Sequence, residues 1–162
     1  MQFLRGKMNI KILAIGKIQP MYKPMIEEFE KRLSRYCKLE LVEVADEQAP
    51  EKLSEAQKKQ VMLAEWERLN KKIKETDFVV ALDSRGKKYS SEEFAEFIDK
   101  NIDKQIVFVL GGSLGLCDEA LLRANSKCSL SDMTFTHSMA RVILAEQIYR
   151  AFRIIKNEPY HK

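Results

Sequence analysis

Near the end of the chain, Arg150, Arg153, Tyr160 and His161 bring two guanidinium groups, a phenol and an imidazole close together in sequence. Arg150 and Arg153 are three apart, so on a helix they share one face. A guanidinium there can fork a phosphate or steady a developing anion, or it can simply pair with Glu146, four residues before Arg150. The ending "NEPYHK" sets Tyr160, His161 and Lys162 behind a proline. An aromatic to stack on, an imidazole and a cation suit RNA contact, where a merely disordered terminus is polar and dispensable. The other histidine, His137, has two readings: contact with a target group, or the cap of a helix.

A second constellation is "IVFVLGGSLGLCDEALL", residues 106–122, in which an apolar run stops at Gly111 and Gly112 and a third glycine, Gly115, follows. Either the backbone approaches a ligand there, or a tight strand-to-helix turn needs positive φ. The loop lacks the lysine and hydroxyl of G-x-x-x-x-G-K-[ST], and it does not meet G-x-G-x-x-G. Flanking it are "ALDSRGK", ending a strand at Leu82 and Asp83, and the irregular "LSDMTF", residues 130–135. Loops at the carboxyl ends of parallel strands form the ligand crevice of an open α/β sheet. Lined by Leu82, Leu116, Leu130 and Met133, with no basic side chain in residues 111–116, this crevice suits a nucleoside with an apolar attachment and no phosphates.

The elements that must position these groups follow from hydrophobic periodicity. Strands are predicted at "NIKILAIG", "LELVEV", "DFVVALD" and "QIVFVL", with a brief fifth at "KCSLS". "SRGKKY" reads as a polar turn after the third strand. Met25, Phe29 and Leu33 stand at helical spacing after Pro24, with Glu28 and Arg32 as an i,i+4 pair. A long charged helix runs from after Pro50 to about residue 75, its buried side made of Leu53, Val61, Leu63, Trp66, Leu69 and Ile73. Ser90 and Glu93 form a capping box for the next helix. A short helix lies around "DEALLRA", and residues 137–155 are helical and nearly apolar all round, which calls for burial on more than one side. Strands alternating with helices give an α/β fold with a mainly parallel sheet.

Composition sets the outer limits. At 162 residues one domain is the default, and 45% hydrophobic with 32% charged residues is ordinary for a globular protein. The net charge of +4 is too mild to mark nucleic-acid binding by itself. Cys37, Cys117 and Cys128 show no C-x-x-C spacing and read as reduced thiols of a cytoplasmic protein, and two histidines give a zinc site little support. No apolar run reaches membrane-spanning length. Residues 1–7, before Met8, read as an upstream extension, leaving residues 8–162 as a single domain. "KKIK" and "RGKK" read as solvated faces.

Taken in order and spacing, "LDSRGK", "FVLGGSLGL", "LSDMTF.H", "RVILAEQIYRAFRI" and "PYHK" resemble the small bacterial methyltransferases that act on a pseudouridine of large-subunit (23S) ribosomal RNA, within the SPOUT class. The likeness runs from about Asn9 to Lys162. It implies a SPOUT-type parallel sheet flanked by helices with a C-terminal trefoil knot, a fold periodicity could not suggest. It implies S-adenosyl-L-methionine as cofactor, held by Leu82, Gly111, Leu130, Ser131, Asp132, Met133, Thr134 and Phe135, and methyl transfer to N3 of the pseudouridine. It further implies a homodimer with RNA touching both subunits, and no metal. Arg150, Tyr160, His161 and His137 are the expected catalytic groups, with Arg153 and Lys162 on RNA. In this chain Thr136 stands where the family has proline, and Leu114 where it has a polar or acidic residue. From the residues alone, a non-catalytic RNA-binding or ribosome-associated module is the alternative.

Overall fold

The computed structural model describes residues 8–162; the expected extension at 1–7 lies outside them. Five parallel strands form one sheet: β1 (Met8–Ile15), β2 (Cys37–Val44), β3 (Phe78–Lys88), β4 (Ile106–Leu110) and β5 (Ser126–Ser129), in the order β2-β1-β4-β3-β5. The helices are α1 (Lys23–Leu33), α2 (Glu55–Asn70), α3 (Ser91–Lys100), α4 (Asp118–Arg123) and α5 (His137–Ile155).

Period-two alternation divides the buried strands between two cores. Ile10, Ile12, Ala14, Ile106, Phe108 and Leu110 face α1, α3 and α5. Leu13, Ile15, Val107 and Val109 face α2 and α4 through Trp66, Leu69, Ala120 and Leu121. β4, central and buried on both faces, carries no polar residue at all. Edge strand β2 alternates buried and exposed along its first half, as its sequence predicts. The capping box at Ser90 forms in both directions, and the Glu28–Arg32 pair closes at 2.9 Å.

Four expectations are corrected. Ile26, not Met25, is the buried residue of the first turn of α1; Met25 is 49% exposed. α2 is shorter than its charge pattern suggests: a second capping box, Ser54 with Gln57, starts it, and it ends at Asn70. Leu63 faces water while the charged Glu65 is buried. "SRGKKY" is not a simple turn. β3 continues through Lys88, because β5 pairs with it twice, Cys128 meeting both Leu82 and Lys87 across a register shift.

That shift depends on Gly86, where an added Cβ would lie 2.6 Å from the Cys128 nitrogen. The contact is backbone, which no rotamer can relieve. Gly86→Ala is therefore expected to lower unfolding stability by about 1–3 kcal/mol, read as a lower midpoint in urea with an unchanged slope.

Candidate cofactor cavity and C-terminal cluster

The carboxyl ends of β3, β4 and β5 converge because Leu82 pairs with Leu110 and with Cys128. Between them lies a cavity of about 240 Å³, and all eight residues expected on the cofactor line it: Leu82, Gly111, Leu130, Ser131, Asp132, Met133, Thr134 and Phe135. Leu116 does not, since it is buried with the α2/α4 core on the other face of the sheet.

Each wall has a local cause. The tight-turn reading of the glycine loop is realised at Gly115. Gly115 has φ +83°, and its N–H donates to the Gly112 carbonyl at 3.0 Å, a tight turn. That turn folds back so closely that a Cβ on Gly111 would lie 2.6 Å from the Gly115 carbonyl carbon. The third wall is set by Ser131, whose hydroxyl accepts from Met133 N at 3.0 Å while its carbonyl accepts from Ser129 Oγ at 3.1 Å. Lys88 holds Asp132 at 2.6 Å across the cavity rim. Asp83 chelates Arg85 through three contacts of 2.8–3.0 Å, and that guanidinium keeps its carboxyl below the usual carboxylate range. Burial pushes the Cys128 thiol up to about 11, so at neutral pH it lines the cavity as an apolar group.

The lining suits a nucleoside without phosphates: Leu82, Leu110, Leu130, Met133 and Phe135 are apolar, and the glycine loop carries no cation. Among the described residues no three His, Cys, Asp or Glu side chains are placed to hold a metal ion, and no helix is long and apolar enough to cross a membrane.

His137, first residue of α5, lies on the same lining. It does not cap the helix; Thr136 does, its hydroxyl accepting from Met139 N at 3.4 Å. The threonine that departs from the family pattern thus starts the helix. One turn on, Arg141 is 1% exposed, donates to the carbonyls of Ile15 and Gly16 at 2.6 and 3.0 Å, and pairs with Glu43 at 3.0 Å. Its Nε has no partner among the described residues. Arg141 therefore locks α5 to the end of β1, a structural role. Removing the guanidinium leaves the Ile15 and Gly16 carbonyls without their donor, so Arg141→Met is expected to cost about 1–3 kcal/mol of stability, measured by urea denaturation.

The other candidates gather at the far end of α5. Asn157, with φ 53°, reverses the chain after the helix, as asparagine tolerates this conformation. The tail then lies back along α5. Tyr160 donates to Glu146 Oε1 at 2.9 Å and packs edge-on to Tyr149, with ring centroids 4.8 Å apart. Arg150 donates to the same Glu146 oxygen at 3.1 and 2.6 Å, and its guanidinium lies 4.6 Å from the Tyr160 ring centroid. Arg150 Nη1 also reaches His161 Nδ1 at 3.2 Å, which leaves Nε2 as the N–H that donates to Glu92 at 2.8 Å. Burial, then Glu146, pushes the Tyr160 phenol above its ordinary value, so at neutral pH it is a donor and not a base. Arg153 differs: Glu158, Tyr36 and the Pro159 carbonyl take up its donors. Lys162 is exposed.

The structure thus brings the expected groups together in two sets, not one. Thirteen residues of α5 separate His137 from Arg150, about 20 Å at helical rise.

Comparison with known proteins identifies the family. The family described as "Predicted SPOUT methyltransferase" matches residues 8–161. The chain is 52% identical over 159 residues to "Ribosomal RNA large subunit methyltransferase H" of Carboxydothermus hydrogenoformans and 50% identical to that of Acetivibrio thermocellus, covering 96% of this chain and 100% of each relative. Among solved structures, a "probable methylase family protein" from Haemophilus influenzae Rd KW20 superposes with a TM-score of 0.55 at 18% identity, covering 96% of this chain and 71% of that one, a likeness of fold alone.

Proposed function

The chain belongs to the SPOUT methyltransferase family, and from that premise we propose that it methylates N3 of a pseudouridine in 23S ribosomal RNA, on the assembled ribosome in the cytoplasm, using S-adenosylmethionine. The relatives that match over their full length carry a large-subunit ribosomal RNA methyltransferase name, which supports the RNA class. The same reading includes the trefoil knot, threaded through the three loops around the cofactor cavity.

The observation that carries the mechanism is the separation of the two sets of groups. A cofactor cavity at the amino end of α5 and an Arg150–Tyr160–His161 cluster about 20 Å away cannot act on one base within one chain. They can act together if two copies pair so that the tail of each meets the cavity of the other. Exposed apolar side chains, with Met21 73%, Met25 49% and Met139 39% exposed, support such a homodimer.

S-adenosylmethionine supplies an electrophilic methyl on a sulfonium. The residues of this chain do the rest. Gly111 and the 130–135 loop hold the nucleoside. His137 bounds the opening through which the acceptor base approaches. The partner copy's α5 brings in Arg150, whose guanidinium stabilises the imide anion left when N3 loses its proton to solvent water. Tyr160, whose single O–H is given to Glu146, presents its ring to the RNA. Glu146 holds both in place, and RNA phosphate displaces Glu92 from His161. Arg153, tied to Glu158, positions the tail, while Lys162 is available to RNA.

The test supplies methyl-labelled cofactor to purified protein with ribosomes, large subunits or free ribosomal RNA, and maps the product by mass spectrometry. Label on one pseudouridine of the large-subunit RNA is expected, strongest with ribosomes. RNA binding without transfer on any substrate would identify a non-catalytic module instead.

A further inference from the structure

Glu65 is a charged side chain that water barely reaches and that makes no ion pair among the described residues: it is 5% exposed. Its Oε2 accepts from Glu47 N at 3.2 Å, while no donor among the described residues reaches Oε1. The one cation nearby on α2, Arg68, is engaged by Glu47 and the Ala45 carbonyl. Burial accordingly pushes the Glu65 carboxyl above its ordinary range, and Asp46 adds to this. A nearly buried carboxylate without a countercharge is costly to keep.

Glu65 faces a second, larger cavity of about 860 Å³, whose lining shares Gly112, His137 and Arg141 with the cofactor cavity. The partition between the two is thin, since both Glu65 oxygens lie 3.0 Å from where a Cβ on Gly112 would stand. The cofactor cavity, at about 240 Å³, falls below the roughly 300–1,000 Å³ of small-molecule sites. It can take the nucleoside, and the remainder of a longer ligand must pass Gly112.

We propose that the larger cavity receives the amino-acid end of S-adenosylmethionine, and that Glu65 Oε1 accepts a hydrogen bond from its α-ammonium. The assignment rests on the cofactor reading above. Charge selects the occupant: Asp46, Glu47, Glu51 and Glu65 make this wall negative, which repels an RNA phosphate and attracts a cation. No three of these carboxylates are placed to share a metal ion, so one hydrogen-bonding ammonium suits the single free oxygen better. Lys17, on the same lining, offers positive charge to the α-carboxylate.

Calorimetric titration tests this with two ligands, S-adenosylmethionine and methylthioadenosine, the latter having the nucleoside and sulfur but no amino-acid end. Glu65→Gln keeps the shape and removes the charge. It is expected to weaken S-adenosylmethionine by about 10- to 100-fold, the range for a hydrogen bond to a charged group, while methylthioadenosine binds as to the wild type. Equal weakening of both ligands would mean that Glu65 only shapes the Gly112 wall, and no change in either would assign its oxygen to the acceptor base; each overturns the proposal. Should the variant not fold, the wild type decides: a cofactor analogue lacking the α-amino group must bind more weakly than the intact cofactor, and equal affinity sinks the idea. Failure of the wild type to bind either ligand would refute the cofactor reading itself.

Discussion

Deleting Tyr160, His161 and Lys162 should leave S-adenosylmethionine affinity intact and lower methyl transfer by about 100- to 1,000-fold, the usual loss when donors aimed at a developing charge are removed. The split follows from distance. The tail docks on the far end of α5, against Glu146, Arg150 and Glu92, and none of its residues lines the cofactor cavity of the same chain. Arg150→Ala should behave alike, because it removes the guanidinium and the partner of His161 Nδ1 together.

The decisive form of this experiment mixes two inactive proteins. One lacks the tail and the other carries Gly111→Val, which blocks the cavity. If each active site takes a cavity from one protomer and a tail from the other, every mixed dimer regains one intact site. Random pairing then restores about a quarter of the wild-type rate, for a two-fold dimer. No recovery, with subunit exchange demonstrated, would place the whole reaction within one chain and refute the shared site.

Gly111→Ala has the second large effect expected, and it falls on binding. The added methyl would meet Gly115 carbon, Gly115 oxygen and Leu116 nitrogen at 2.6, 2.7 and 3.0 Å, all backbone atoms. Relief requires the 112–115 turn to move, and that turn is pinned by its own hydrogen bond and by the positive φ of Gly115. Overpacking of this kind costs about 1–3 kcal/mol, or about 10- to 100-fold in affinity if the displaced turn moves into the cavity. Titration with cofactor measures it. Gly16→Ala is the informative control, because no atom lies within 4 Å of a Cβ there and only its φ of +80° is strained. Unchanged affinity in Gly111→Ala would show that the close approach serves the turn and not the ligand.

Much of the architecture was legible from local pattern. The bounds of α5, the Ser90 capping box, the four longer strands and the short fifth follow from periodicity and end signals, which act between residues a few positions apart. The cofactor loops were legible too, since glycines at a strand end and a broken, mixed-polarity segment mark backbone that is used for its own sake. Family resemblance named the eight residues, and the fold brings all eight to one cavity.

What the tertiary structure alone decided is which distant groups meet. Arg141 stands near the start of a helix, and only the fold brings it to its partners Ile15, Gly16 and Glu43, 98 to 126 positions away. Glu65 sits in a helix so rich in charge that no spacing rule distinguishes it; burial against Gly112 does. Residues 84–88 looked like a turn because their side chains are polar, but β5 arrives at that edge and turns them into strand. The last case is the separation of His137 from Arg150, Tyr160 and His161. Sequence could show that they lie along one helix, and only a rigid rise of about 1.5 Å per residue, unbroken through α5, sets them about 20 Å apart.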